Sequence, residues 1–275
     1  MRAVFLIAWD QLADFRHRRL VLALLVAAVS LALVLALLAQ GMSAVSKRTE
    51  FAGKVSDEER MQLQLGVGMG SYMLQTALYL VVFIGGSVVS LATFCGLIST
   101  ERTRGTLPWV LSKPITRTQF LLGKWVGACA MILLYTAVMF AILIGSTWLT
   151  EKSVPARMYY ACSVMPFGFL LVGSVGAFLS TLMPPVLAGV VAYFGGAQLF
   201  HRLADWAAPW RWLDYLLTGL HYVAPSYDKF NMYLDLLMGK EIPLSRPVVL
   251  AAYAVAYSAL MFLLTTLVFQ RRDVA

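Results

Sequence analysis

Residues 98–128 read I-S-T-E-R-T-R-G-T-L-P-W-V-L-S-K-P-I-T-R-T-Q-F-L-L-G-K-W-V-G-A. This charged, turn-rich island lies between two apolar runs that are each long enough to cross a bilayer, so its reading decides the fold. Arg102, Arg104, Lys113, Arg117 and Lys124 stand in it against a single acid, Glu101, and a basic loop between two spans belongs on the cytoplasmic side. Gly105 can supply the positive φ that stops one helix, Thr106 can cap the next, and Pro108 is tolerated in a first turn. A short helix over residues 107–112 is predicted, closed by Pro114, which disfavours helical geometry at Lys113. It carries Leu107, Val110 and Leu111 on one side and Trp109 at headgroup depth.

Working outward, 60% hydrophobic residues against 13% charged is far from the globular norm of about a quarter charged. The apolar residues come in blocks long enough to span. The expected fold class is an all-α integral membrane protein in one transmembrane domain, residues 1–275, with six transmembrane helices at 20–40, 72–98, 120–149, 158–183, 186–200 and 248–270. Residues 1–19 form an N-terminal interfacial amphipathic helix, with Phe5, Ala8, Trp9, Leu12 and Phe15 at helical spacing. A removable signal peptide is the rival reading, disfavoured by the length of the apolar run after it. Residues 41–70 are an outer loop with a short helix near 57–65, and residues 99–119 form the basic cytoplasmic loop between spans 2 and 3. Residues 201–247, rich in Trp and Tyr, are outer interfacial helices between spans 5 and 6, the second over 227–240. Gly85, Gly86, Ser87 and Ser90 in the second span, and Gly168, Gly173 and Gly176 in the fourth, are small-residue faces suited to close helix packing, with a kink at Pro166. Met183, Pro184 and Pro185 leave only a minimal turn between spans 4 and 5.

The net charge of +8 could suggest a nucleic-acid partner. Sorted by side, however, the cytoplasmic segments carry 11 Lys and Arg against 4 acids, and the outer ones 11 against 10. The excess lies at the inner membrane surface, where it suits anionic lipid headgroups and places both termini in the cytoplasm. Nothing in the chain resembles a nucleic-acid-binding pattern.

Several kinds of chemistry are missing. The span centres carry no Lys, Arg, Asp, Glu or His, which argues against an ion-coupled carrier. Lys54, Lys124 and Lys240 each follow a glycine, yet none completes a phosphate-binding loop. His17, His201 and His221 lack metal-ligand spacing, and Cys95, Cys129 and Cys162 lie in or beside apolar spans as small packing residues. Ser174 in a glycine-rich span has no membrane-buried His to make a protease of it. No catalytic residue, cofactor or metal site is therefore expected, and the substrate-binding residues stay unknown.

The island resembles the loop between the second and third spans of ABC-2 type transporter permease subunits, especially the NosY-like branch. That loop runs approximately E-x-x-x-G-T-L-P-x-x-L-S-x-P-[IV]-[ST]-R-x-x-x-x-x-x-K. Glu101, Gly105, Thr106, Leu107, Pro108, Leu111, Ser112, Pro114, Ile115, Thr116, Arg117 and Lys124 match it in order and spacing. Trp109 and Val110 stand where leucines are usual, and the ending F-Q-R-R-D from Phe269 is also similar to the family's close. The resemblance implies that the loop holds a cytoplasmic coupling helix that docks on a separate ATP-binding subunit. Glu101 would orient the loop, Gly105 and Thr106 start the helix with Leu107, Pro108, Trp109 and Leu111 on it, and Pro114 and Arg117 end it. It implies an exporter permease subunit without ATPase motifs, in a prokaryotic cytoplasmic membrane, paired with an ABC ATPase subunit that binds ATP and Mg and with a second permease copy or paralogue. The alternative is a non-transporting membrane subunit that couples the ATPase to a conformational signal or a periplasmic maturation process. The NosY-like branch serves copper sites, but Met61, Met69 and Met73 are the only run of methionines that could bear on copper. An apolar interior and an aromatic outer ledge suit lipidic or amphipathic cargo.

Overall fold

The computed structural model describes residues 4–9, 57–105, 116–151, 156–196, 224–232 and 245–271 as continuous stretches, with isolated positions between them. Among the described residues every regular element is a helix. Residues 4–9 are helical, and after them come α1 (Asp57–Arg104), α2 (Arg117–Glu151), α3 (Ala156–Ser180), α4 (Pro185–Phe194), a 3-10 turn (Tyr227–Phe230) and α5 (Ser245–Arg271). Four of these are long and apolar enough to cross a membrane, over Gln75–Ser99, Arg117–Trp148, Met158–Ser180 and Ser245–Arg271. Of the expected first span at 20–40 only separate helical positions such as Val26, Ser30 and Val34 are described, while the loop residues 106–115 and most of 197–223 and 233–244 lie outside the described residues.

The first difference from the sequence reading is α1. A short outer helix near 57–65 and a span at 72–98 are here one rod of 48 residues, roughly 72 Å at 1.5 Å per residue. That is more than twice the ~30 Å hydrocarbon core. Gly66, Gly68 and Gly70 lie inside it. Each disfavours helix by about 1 kcal/mol relative to Ala, but a helix already nucleated on both sides gains a hydrogen bond for every residue it adds.

Contacts fix the directions. Gly86 packs on the Phe169 ring, Gly173 on Ser90 and Phe94, and Gly176 on Leu91 and Cys95, so α1 and α3 run parallel. An added Cβ at any of these glycines would strike its neighbour, which is why the small-residue faces expected in spans 2 and 4 meet each other. Ser90 adds a hydrogen bond, its Oγ donating to the Phe169 carbonyl at 2.6 Å. Between them α2 runs the other way: Tyr135 donates to the Val82 carbonyl at 3.1 Å, and Trp125 stands edge-on to Phe94 at 5.0 Å. Trp125 also meets Phe262 at 5.2 Å, and Ser258 donates to Ser174 at 3.3 Å, so α5 is antiparallel to α2 and parallel to α3. Tyr79, Phe94, Tyr135 and Phe169 are fully buried where α1, α2 and α3 meet. Pro166 lies inside α3.

Two further differences concern α4 and the segment beyond it. The expected fifth span, 186–200, is a helix of 10 residues, about 15 Å and half a bilayer. Pro184 and Pro185 open it after a four-residue turn, as their chemistry requires, and it stops at Gly195. Gly196 has no room for a Cβ because the Tyr227 ring lies against it, 2.8 Å from where that atom would stand. The interfacial helix expected over 227–240 begins instead as the 3-10 turn Tyr227–Phe230. Phe230 packs on Gly168, the middle residue of α3, and is buried with Val164, Leu171, Leu250 and Ala254. That apolar site deep among the helices outcompetes a surface position for Phe230 and Met232, both fully buried.

Candidate functional site

The helix directions bring the end of α1, the start of α2, the α3–α4 turn and the end of α5 to one end of the bundle. Residues 4–9 join them there, since Gly123 of α2 packs so closely on Ile7 and the Val4 carbonyl that an added Cβ would strike both. On this segment Ala8 is buried while Phe5, Leu6 and Trp9 point their apolar side chains outward.

At this end α1 stops at Arg104 and Gly105 takes φ +66°. A Cβ at Gly105 would meet nothing within 4 Å, so the position requires glycine only for its backbone angle. Glu101 falls on the last turn of α1. Thr106, Leu107, Pro108, Trp109, Leu111 and Pro114 lie outside the described residues.

The chain returns at Thr116, where α2 begins with a reciprocal cap. The Gln119 amide N–H donates to Thr116 Oγ1 at 3.2 Å, and the Thr116 N–H donates to Gln119 Oε1 at 3.2 Å. This T-x-x-Q box starts the helix at Arg117, three residues before the expected span at 120–149. Arg117 then reaches across to α5: its Nη1 donates to the carbonyls of Gln270 at 3.2 Å and Phe269 at 3.4 Å. Those oxygens belong to the last turn of α5, where the helix dipole favours a cation. Gln270 answers by donating from Nε2 to Thr118 Oγ1 at 3.1 Å, and the Phe120 and Phe269 rings lie 6.5 Å apart beside it. Lys124 is buried one turn further on, its Nζ 5.8 Å from the centre of the Phe120 ring.

Of the residues expected at the site, Gly105 and Arg117 thus occupy the two ends of the loop at the same end of the bundle. Sequence reading missed Thr116 and Gln119 as a cap, although the T-x-x-Q spacing was there to see. It also missed Phe269 and Gln270 as the partners of Arg117. A pairing across 152 and 153 residues leaves no local trace, and only the family-like ending hinted at those positions.

A family model described as ABC-2 family transporter protein matches residues 5–274. The chain belongs to that family. This ABC-2 protein is accordingly a multi-pass membrane protein and the permease component of an ABC-2 transporter, a kind of subunit that typically lacks ATPase activity and associates with an ABC ATPase. Among the curated proteins none matches the chain. In this ABC-2 protein the three cysteines are free, and among the described residues no cluster of His, Cys, Asp or Glu could hold a metal ion.

Proposed function

We propose that this chain is the six-span permease half of an ABC exporter of the NosY-like branch, pairing with a second copy or a paralogue and driven by a separate ATPase subunit. In this reading both termini and the loop between α1 and α2 face the cytoplasm, and residues 1–19 lie along the inner interface. Leu107, Pro108, Trp109 and Leu111 form the coupling helix, which rests in a groove of the ATPase. The observation that supports this most is the tie between Arg117 and the last turn of α5, because it fastens the returning arm of the loop to the final span. A push on the loop then moves α2 and α5 together rather than bending one loop. Gly105 at the other arm makes the turn that lets α1 take up the same movement.

ATP drives such a change only by binding the closed ATPase pair more tightly than the open one. The test is ATP turnover and substrate flux of the complex reconstituted in proteoliposomes. Gly105→Val and Arg117→Glu are expected to insert and fold yet lower turnover by about tenfold, a loss of about 1.4 kcal/mol in coupling. Unchanged turnover would sink the coupling role. Turnover without flux of any solute would favour the non-transporting alternative, in which the same movement signals to a periplasmic process.

A further inference from the structure

The segment 224–232 is not α-helical up to Met232, yet it sits level with the middle of α3. Irregular backbone at that depth survives only when protein covers it or when it lines a cavity. Here it does both. Phe230 and Met232 are buried on one side, while on the other Tyr227, Asp228 and Asn231 border a cavity of about 290 Å³. The cavity also touches Ser87, the midpoint of the apolar stretch Gln75–Ser99, and Gly168, the midpoint of α3. Its depth is therefore set by two helices independently.

The lining has a chemical bias. Asp228, exposed at the edge of the cavity, contributes a carboxylate that makes no ion pair among the described residues, and no Lys, Arg or His lines the cavity among them. Asn231 contributes Oδ1, buried and without a donor, and the Tyr227 hydroxyl is likewise buried without a partner. Ser87 spends its own proton on the Phe83 carbonyl at 3.0 Å, leaving its oxygen as an acceptor. Phe83, Tyr193 and Phe194 add aromatic walls. Acceptors, one negative charge and π faces together suit a cation that carries apolar bulk. An anion would find no positive partner, and a purely apolar ligand would leave the orphaned polar atoms of Tyr227 and Asn231 unpaired.

We infer that this ABC-2 permease binds an organic ammonium ion in the cavity between α1, α3 and the 3-10 turn, with Asp228 as the counter-ion and the aromatic rings around its alkyl groups. The volume is at the small end for ligand sites and admits an ammonium head with a short chain. The inference takes the depth of the site from the proposed membrane-spanning arrangement but not from the coupling mechanism. Because binding is measured without nucleotide or ATPase, its failure leaves the coupling proposal standing, and the reverse also holds.

The test uses the full chain in nanodiscs of phosphatidylglycerol, which has no ammonium head, with choline as the probe and calorimetry as the readout. Choline is expected to bind saturably. Its uncharged isostere 3,3-dimethylbutan-1-ol should bind at least about tenfold more weakly, and Asp228→Asn should weaken choline by at least about tenfold, while Lys229→Gln leaves it unchanged. No saturable binding, equal binding of the alcohol, or indifference to Asp228→Asn would each overturn the inference. Should Asp228→Asn fail to fold, the unsubstituted chain decides: dicyclohexylcarbodiimide should label Asp228, and saturating choline should slow that labelling. Labelling that is absent, or that choline leaves unchanged, overturns it too. Adding phosphatidylethanolamine to the nanodiscs separates the sources, since competition with choline points to a lipid headgroup and its absence to a soluble amine.

Discussion

At the scale of single residues, the end of the bundle that gathers the arms of the α1–α2 loop depends on matching each polar group to a partner that chain geometry alone would leave unpaired. Thr116 and Gln119 satisfy the first amides of α2, and Arg117 satisfies the last carbonyls of α5. Each job is specific to its side chain. Thr116→Val keeps the shape but loses the hydroxyl, and is expected to destabilise the start of α2 by about 1 kcal/mol. Thermal unfolding of the detergent-solubilised chain should fall for Thr116→Val and recover for Thr116→Ser. A melting temperature equal to that of the parent for Thr116→Val would mean the cap is not made. Gly105 was legible as a helix stop because a glycine before T-x-P has few other uses. Arg117 was legible only as a loop end, since its acceptors come from the far end of the chain.

At the scale of elements, the contact between α1 and α3 carries the fold. In lipid there is no hydrophobic drive between helices, so close packing and a few hydrogen bonds must hold them. Gly86, Gly173 and Gly176 provide the closeness and Ser90 the bond. Gly86→Leu forces its side chain into the Phe169 ring and is expected to cost at least about 2 kcal/mol. Gly145→Leu in α2, where an added Cβ meets nothing within 4 Å, should stay within about 0.5 kcal/mol of the parent. The pair is compared by thermal unfolding in detergent, and equal effects would show that α1 and α3 pack loosely enough to absorb a side chain. The four long helices and their small-residue faces were readable because each is announced by its own run of residues. The length of α1 was not, because glycine and charge were read as a boundary that the continuous hydrogen-bond ladder ignores.

At the scale of the whole molecule, helix direction turns local features into a machine with two addresses. Parallel α1, α3 and α5, with α2 and α4 against them, gather both ends of the loop between α1 and α2 at one end, while the cavity around Asp228 sits about halfway to the other. The loop end is expected to face the cytoplasm. A single cysteine introduced as Thr106→Cys should therefore resist a membrane-impermeant maleimide in intact cells and react in inverted vesicles. Labelling in intact cells would reverse the orientation and remove the basis for an ATPase docking there. The residues of the loop itself were legible as a motif, whereas the cavity was not: Tyr227, Asp228 and Asn231 looked like members of an aromatic surface helix.

What the sequence determined by itself was the class of the protein, its long spans, the tight turn at the paired prolines and the glycine stop at the loop, all properties that a residue imposes on its immediate neighbours through hydropathy, φ and a missing amide proton. What only the tertiary structure decided was which ends meet and what enters the bundle. Arg117 needs the carbonyls of α5 brought alongside, and Phe230 leaves the surface only because Gly168, Val164 and Leu250 already form a gap of its size. Both outcomes depend on free energy gained between segments far apart in the chain, which no local pattern records.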